Sequence, residues 1–360
     1  MFKIEVTIKK RSRELPYSGF IIPLSSIIIS ISISLIILGL YGVDPGKFFK
    51  VFTTALISPS SIRYAIPLIL SGVGLAVAYK ANVWNIGAEG QILAGALVAS
   101  GLALYYIPPT MPHEAAILLL YIAAFLAGSL TALIPAILKA LYNVNEVLST
   151  LMINYIMMQI VNYLVYGPWR GKKEYGYPRT DIFPNNTILP QLEIGGLKTT
   201  INIPTLILMI GSAIVIYVIL FKTKWGYEIR VYGLSEEAAR YGGLEIWKII
   251  ILVMVISGGL AGLAGAGEVL GVYKQLIRAE RVSAGFGYTA IIVAWLGNLN
   301  PLGILLSGYF IGVLVSMGYT LQIFTGVPYG TVNIFTGTLL LTLISLDFLS
   351  KYSPVIRVRR

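Results

Sequence analysis

The sequence predicts an all-α polytopic membrane protein of about ten transmembrane helices. Three observations carry this. Hydrophobic residues make up 56% of the 360 and charged residues only 12%, about half the charge of an ordinary soluble domain. Mean hydropathy is +0.80. Apolar stretches of about 20 residues, the length that crosses a hydrocarbon core of ~30 Å as a helix, recur along the whole chain. There is no cysteine and one histidine, which excludes disulfide frameworks, thiolate chemistry, zinc clusters and Cys/His catalysis. The net charge of +11 is read as basic flanks of membrane helices meeting anionic lipid, with no nucleic-acid partner.

Nine stretches are long enough to cross: 20–40, 62–80, 88–107, 114–138, 147–167, 203–221, 248–272, 302–322 and 330–349. The tenth, Phe286 to Gly297, is short. It reads as a tilted span or as a re-entrant half-helix, which survives at membrane depth only where protein or a water cavity surrounds it. The first span follows Lys9, Lys10, Arg11 and Arg13. It is too long for a signal-peptide core and lacks a cleavage site, so a retained anchor helix is expected. That basic cluster, and Lys351, Arg357, Arg359 and Arg360 at the other end, should hold both termini in the cytoplasm. Two cytoplasmic ends require an even number of crossings, which makes the short segment a crossing. Sixteen of the 27 Lys and Arg residues then lie inside and 11 outside, the sign expected of a membrane protein. The expected organisation is a basic N-terminus at 1–19, a transmembrane domain at 20–349 and a basic tail at 350–360. Within it fall an outer loop at 168–202 and a cytoplasmic loop at 222–247. Asn185-Asn186-Thr187 in the outer loop fits a glycosylation triplet, a weak signal alone.

Ser71-Gly72-Val73-Gly74-Leu75-Ala76 resembles Ser257-Gly258-Gly259-Leu260-Ala261-Gly262, 186 residues further on. The first falls on a helix running inward, the second on one running outward. A 5+5 arrangement is then an inverted repeat, the device by which many transporters build a site at mid-membrane. Shared Gly/Ala composition is the plainer alternative. Gly258/Gly262, Gly267/Gly271 and Gly308/Gly312 are GxxxG pairs that permit close helix approach, more simply within the chain than between chains. Pro67 and Pro135 lie inside spans and suggest kinked or broken helices.

Polar residues at membrane depth are expensive and therefore informative. Asn85-Ile86-Gly87-Ala88-Glu89-Gly90-Gln91 lies between the second and third spans. It reads as a broken-helix corner lining a translocation path or gate, or as a helix cap in which Glu89 and Gln91 satisfy free N–H groups. Asn145, Glu146, Asn154, Gln159 and Asn162 surround or occupy the fifth span; Asn154 and Asn162 are eight apart and near one helix face. They read as interhelical glue or as part of a polar path. Glu268, near the outer end of the seventh span, is a functional candidate or a carboxylate snorkelling to the interface. Asn298, Asn300, Pro301 and Gly303 make a tight corner after the short segment. Neither Gly42–Phe48 nor Gly167–Lys172 has P-loop spacing or a Ser/Thr after its Lys, so no Walker-type nucleotide site is expected.

The 222–247 loop contains Trp225-Gly226-Tyr227-Glu228-Ile229-Arg230 and then Ser235-Glu236-Glu237-Ala238-Ala239-Arg240-Tyr241-Gly242-Gly243. Ser235 is a good N-cap, Glu236 and Glu237 suit the first turn, and Gly242 and Gly243 end the helix. A short amphipathic helix lying flat beneath the membrane is expected, as a docking site for a soluble partner or as a solvated linker.

Glu237-Ala238-Ala239-x-x-Gly242 resembles the EAA-type loop by which ABC importer permeases engage their ATPase subunits. The flanking Trp225–Arg230 and Tyr241–Gly243, together with Asn145–Met152, Gly167–Arg170 and Ser257–Gly271, resemble permeases of the sugar, nucleoside and branched-chain amino-acid branch. Asn85–Gln91 is similar to the segment of its nucleoside-type members, where ribose-type permeases carry an Asp/Asn-Leu-Ser-Val-Gly pattern. The resemblance spans about residues 60–350. Gly267 and the basic stretch Lys274–Arg281 depart from it, which leaves solute identity open.

The resemblance implies a transport subunit, not an enzyme, with no cofactor of its own. It implies ATP-driven alternating access, with a cytoplasmic ATPase, a second and paralogous permease chain, and an extracytoplasmic solute-binding protein as partners. Motion would pass through the 226–243 helix, with Gly226, Glu228, Arg230, Glu236, Glu237, Ala238, Ala239 and Gly242 as its residues. The candidates for the path or gate are Asn85, Glu89, Gln91, Asn154, Asn162, Glu268 and Asn298, and for the solute a nucleoside, next a simple sugar. The alternative class is an ion-coupled secondary transporter with inverted repeats, needing no ATPase.

Overall fold

A computed structural model describes residues 3–10, 18–172, 176–194, 196–326, 328 and 330–359. Arg11, Arg13 and Arg360 of the basic ends lie outside the described residues. The chain forms two bodies, residues 1–54 with 317–360 and residues 55–316.

In the first body, α1 (Ser18–Leu40) packs along α14 (Gly330–Lys351), and α2 (Pro45–Leu56) follows α1 in the chain. Ser26, Ser30 and Ser34 recur every four residues and are buried, a stripe of small side chains that lets helices approach. Ser30 Oγ lies 3.3 Å from Thr342 Oγ1. Strand β1 (Lys3–Lys10) pairs antiparallel with β4 (Tyr352–Arg359), Lys3 opposite Arg359 and Lys10 opposite Tyr352. The N-terminal end of α1 and the C-terminal end of α14 therefore lie on the same side of this body.

The second body holds the core. Helices α3 (Pro59–Lys80), α4 (Ala88–Tyr105), α5 (His113–Tyr142), α6 (Glu146–Tyr166), α7 (Ile203–Lys222), α10 (Ile246–Gly267), α12 (Phe286–Leu296) and the start of α13 (Pro301–Thr325) form it. Pro59 opens α3, where its missing N–H is no loss, and Ser58 accepts the Ser60 N–H at 3.3 Å. Asn145 caps α6 by accepting from Val147 and Leu148 at 2.9 and 3.3 Å. Pro67 and Pro135 lie inside α3 and α5, and neither helix is broken there. The backbone departs from α-helix instead at 81–87 and in a π-helical turn at Glu268–Tyr273.

Helix α10 sits at the centre, against α3, α4 and α5. The GxxxG pairs act within the chain. Gly258 and Gly262 lie against the backbone of Gly128 and Ala124 on α5, so close that no Cβ fits. Gly308 and Gly312 lie against Ile69, Ser61 and Ala65 on α3. The two similar glycine segments also meet each other: a Cβ on Gly74 would stand 2.8 Å from the Ser257 carbonyl.

Among the described residues eight helices are long and apolar enough to cross a membrane. The short expected crossing is α12, whose 11 residues extend about 16 Å, half a hydrocarbon core. The 168–202 segment is not loop throughout. It holds a 3₁₀ turn at Asn185–Thr187 and a hairpin of β2 (Gln191–Ile194) and β3 (Leu197–Asn202). The 222–247 segment holds two helices where one was expected, α8 (Lys224–Leu234) and α9 (Glu236–Tyr241). Ser235 divides them: its extended backbone (φ −158°, ψ 117°) breaks the helical run and its hydroxyl accepts the Ala238 N–H at 3.1 Å.

Candidate functional site

After α3 ends, Asn82 takes a left-handed conformation (φ 54°) and turns the chain back into the core. Residues 85–91 then build a buried polar corner. Asn85 and Gln91 pair through both amide groups: Asn85 Nδ2 donates to Gln91 Oε1 at 3.0 Å and Gln91 Nε2 to Asn85 Oδ1 at 3.1 Å. Asn85 Nδ2 also donates to Ser257 Oγ on α10 at 2.9 Å, and Asn85 Oδ1 accepts the Gly87 N–H at 2.9 Å. From α6, Asn154 Oδ1 accepts the Gly90 N–H at 2.8 Å, while its Nδ2 donates to the Ile86 carbonyl at 2.8 Å and to the Tyr288 hydroxyl at 3.2 Å. Thr150 Oγ1 accepts the Ile86 N–H at 3.2 Å. An irregular backbone away from water needs such partners for every polar group.

At the centre is Glu89, 2% exposed. Its Oε1 accepts the Gly285 N–H at 2.9 Å and its Oε2 the Gly287 N–H at 2.7 Å. Glu89 stands in the first turn of α4, and these donors belong to the first turn of α12 or lead into it. One carboxylate therefore serves two helix N-termini, each carrying unpaired N–H groups and the positive end of a helix dipole. Gly287 lies against the Glu89 backbone with no room for a side chain. At the other end of α12, Trp295 stacks on Tyr79 and Trp84, with ring centroids 6.1 and 6.0 Å away.

The other candidates lie elsewhere. Glu268 does not snorkel to an interface. It is buried at the head of the π-helical turn and pairs with Arg63 at 2.7 Å. The Arg63 guanidinium also lies over the Tyr64 ring, 4.3 Å from its centroid. Asn162 holds the short helix α11 (Ala279–Val282): it donates to Glu280 Oε1 at 2.8 Å and accepts the Ala279 N–H at 2.9 Å. Asn298 is an exposed turn residue (φ 54°) beyond α12. Asn85, Glu89, Gln91 and Asn154 thus come together, and Asn162, Glu268 and Asn298 do not join them. Sequence reasoning missed Arg63, Thr150, Ser257 and Tyr288.

Helices α8 and α9 form a second feature. Gly226 lies against the last carbonyls of α7, and Gly233 against the Lys80 carbonyl where α3 ends. Ile229, Tyr232 and Ala239 are buried. Burial pushes the Tyr232 phenol up to about 12, with Glu236 and Glu146 adding to the shift. Glu228 faces Lys224 at 3.7 Å, Arg230 lies over the Phe221 ring at 5.5 Å, and Glu236 pairs with Arg240 at 2.7 Å. Glu237, Ala238 and Gly242 are exposed. On the same two helices Trp225, Tyr227, Leu234 (88% exposed) and Tyr241 (98% exposed) are also exposed.

A family profile described as "Branched-chain amino acid transport system / permease component" matches residues 59–344. The glucose ABC transporter permease protein TsgB13 of Haloferax volcanii is 30% identical over 92% of this chain and 88% of its own. The guanosine ABC transporter permease protein NupP of Bacillus subtilis is 30% identical over 90% and 92%. The nucleoside ABC transporter permease protein NupB of Lactococcus lactis is 33% identical over 82% of each chain. No solved structure matches.

Proposed function

The chain belongs to the branched-chain amino acid transport system permease family, and from that membership we propose that it is the membrane subunit of an ATP-binding-cassette importer for nucleosides, driven by a separate ATPase through α8 and α9. It is a multi-pass membrane permease for a small polar solute, a transport component by kinship with its relatives.

The observation that carries the coupling is where α8 and α9 stand. Gly233 at the end of α8 rests on the Lys80 carbonyl, where α3 gives way to the polar corner. Helix α9 leads within a few residues into α10, whose Ser257 receives the Asn85 amide. A displacement of this pair therefore bears on the Asn85–Gln91 corner from two directions. Its exposed residues include Trp225, Tyr227, Leu234 and Tyr241 beside Lys224, Glu236, Glu237 and Arg240, and aromatic residues of this kind suit a hot spot for a protein partner. ATP binding to the partner would select one of two arrangements of the corner by differential affinity. This reading keeps both termini and the 222–247 segment on the cytoplasmic side, a solute-binding protein at the opposite face, and a second, paralogous permease alongside.

In this reading Glu89 closes the path by tying the N-termini of α4 and α12 together, and opening requires that bond to break. Asn154, Tyr288 and Gln91 are the groups that could hydrogen-bond a passing nucleoside, and an aromatic ring can stack on its base. Nucleoside transport is named for two of the three relatives above; glucose, named for the third, is the second reading. The test is uptake of radiolabelled guanosine and glucose by proteoliposomes containing the chain with its cognate ATPase, permease partner and binding protein. ATP-dependent guanosine uptake, abolished by Glu237→Lys, is expected. Uptake of glucose alone overturns the nucleoside assignment, and uptake without ATP overturns the importer.

A further inference from the structure

Helix α1 ends in a glycine turn. The Val43 N–H donates to the Leu38 carbonyl at 3.0 Å and the Gly42 N–H to the Gly39 carbonyl at 2.9 Å. With Gly42 left-handed (φ 75°), this pairing closes the helix and turns the chain aside. Pro45 then opens α2, where its missing N–H is no loss, and the Asp44 carbonyl accepts the Lys47 and Phe48 N–H groups at 3.0 and 3.2 Å. The far end of α2 is fixed as well: the Ser61 hydroxyl donates to the Ala55 carbonyl at 2.6 Å and the Tyr309 hydroxyl to the Leu56 carbonyl. The 12 residues of α2 extend about 18 Å. Only Ile57 and Ser58, about 7 Å of chain, separate it from Pro59, where the next helix long and apolar enough to cross begins. Joined this tightly to a span at each end, α2 lies along the membrane surface and does not stand off it.

At about 100° per residue, α2 sorts its side chains into three sectors. Val51, Ala55, Phe48 and Phe52 share one side. Phe48 and Ala55 are buried there, and the Phe48 and Phe52 rings stack with centroids 6.5 Å apart. Phe49 and Leu56 take the next sector, 52% and 38% exposed. Lys47, Lys50 and Thr54 take the third and are all exposed. We infer that α2 is an interfacial helix that binds the bilayer surface and prefers anionic headgroups. Phe49 and Leu56 enter the acyl boundary, and the two ammonium groups stand among lipid phosphates. A helix with a cationic polar side and an aromatic apolar side binds a membrane through buried apolar area together with attraction to anionic lipid. Lysine suits the boundary, because its stem follows apolar surface while its ammonium stays in water. The inference holds on whichever face of the membrane α2 lies, and for any solute that the permease carries.

The chain has no cysteine, so Phe49→Cys and Thr54→Cys each place one bimane label, on the apolar and the polar side of α2. Both positions are exposed, so the variants should remain monodisperse. The test is fluorescence quenching of the full chain in nanodiscs of phosphatidylcholine and phosphatidylglycerol. The Phe49→Cys label is expected to be quenched by lipid carrying a nitroxide near the top of its acyl chain and to be shielded from aqueous iodide; the Thr54→Cys label should respond the opposite way. Nitroxide-labelled phosphatidylglycerol should quench the Phe49→Cys label at least about twofold more than the phosphatidylcholine equivalent, as attraction to anionic headgroups requires. Lys47→Gln with Lys50→Gln is expected to bring the two lipids level, and Lys198→Gln, which removes an exposed charge on the β2–β3 hairpin, to leave the preference intact. Iodide quenching of the Phe49→Cys label would place that side in water, and shielding from both quenchers would place a protein over it; either result overturns the inference. So does an equal response to the two lipids in the presence of both lysines, or a preference that survives their loss.

Discussion

The Glu89 carboxylate accepts the backbone N–H of Gly287 at 2.7 Å across 198 positions of sequence. The bond joins the first turn of α4 to the first turn of α12, and with the Gly285 contact it leaves one buried carboxylate shared between two helix starts. Its removal is expected to be felt in both stability and transport. Glu89→Gln keeps the shape and one acceptor oxygen. It should lower stability by about 1–3 kcal/mol, the range for a buried hydrogen bond left unmade, and abolish regulated uptake. Thermal unfolding in detergent and an uptake assay read the two separately. A variant with unchanged unfolding and uptake would show that the shared carboxylate matters to neither.

Gly287 is expected to tolerate no side chain, since a Cβ there collides with the Glu89 backbone. Gly287→Val should therefore reduce folded yield. Gly211→Ala, on α7 with nothing within 4 Å of its built Cβ, should not change yield, and an Ala in a helix interior is favoured over Gly by about 1 kcal/mol. Size-exclusion profiles of the two variants decide.

The Arg63–Glu268 pair is buried on both sides. Removing one partner strands the other charge, at a cost of about 3–5 kcal/mol, whereas replacing both by apolar residues of similar volume is often neutral. Arg63→Met and Glu268→Leu are each expected to be strongly destabilising alone, and the double variant to recover most of the loss. Unfolding of all four proteins closes the cycle. Additive losses would mean the two charges do not interact.

On α9, Tyr241 is 98% exposed and Glu237 is also exposed. Tyr241→Ala is expected to shift stability by less than about 0.5 kcal/mol, as for surface positions generally, yet to reduce retention of the ATPase on purification. Comparing the melting curve with the copurified ATPase band checks both parts.

The sequence made the helices legible because a crossing needs length and apolarity and little else. It also disclosed Asn85, Glu89, Gln91 and Asn154, because amides and carboxylates stand out where lipid would strand them. Their partners were hidden by chemistry that has an innocent reading. Ser257 sits in a run of small residues that read as packing, and Tyr288 in a short apolar stretch. Arg63, the partner of Glu268, stands near a helix start, where a basic flank is ordinary. Asn162 shares a helix face with Asn154, but eight residues of rise carry it beyond the junction to α11. The hairpin at 191–202 lay in a segment whose Pro, Gly and Asn content reads as loop. The division of α8 from α9 depended on the backbone of Ser235, which composition does not fix.

The central claim is that α8 and α9 are gripped by a motor protein. The chain has no cysteine, so Tyr241→Cys introduces one reactive thiol at the most exposed position of the patch. Crosslinking from that thiol in native membranes is expected to yield an adduct with a P-loop ATPase, whose amount changes when ATP is added. Adducts with lipid or quenching by water alone, with the ATPase present in the same membranes, would contradict the account.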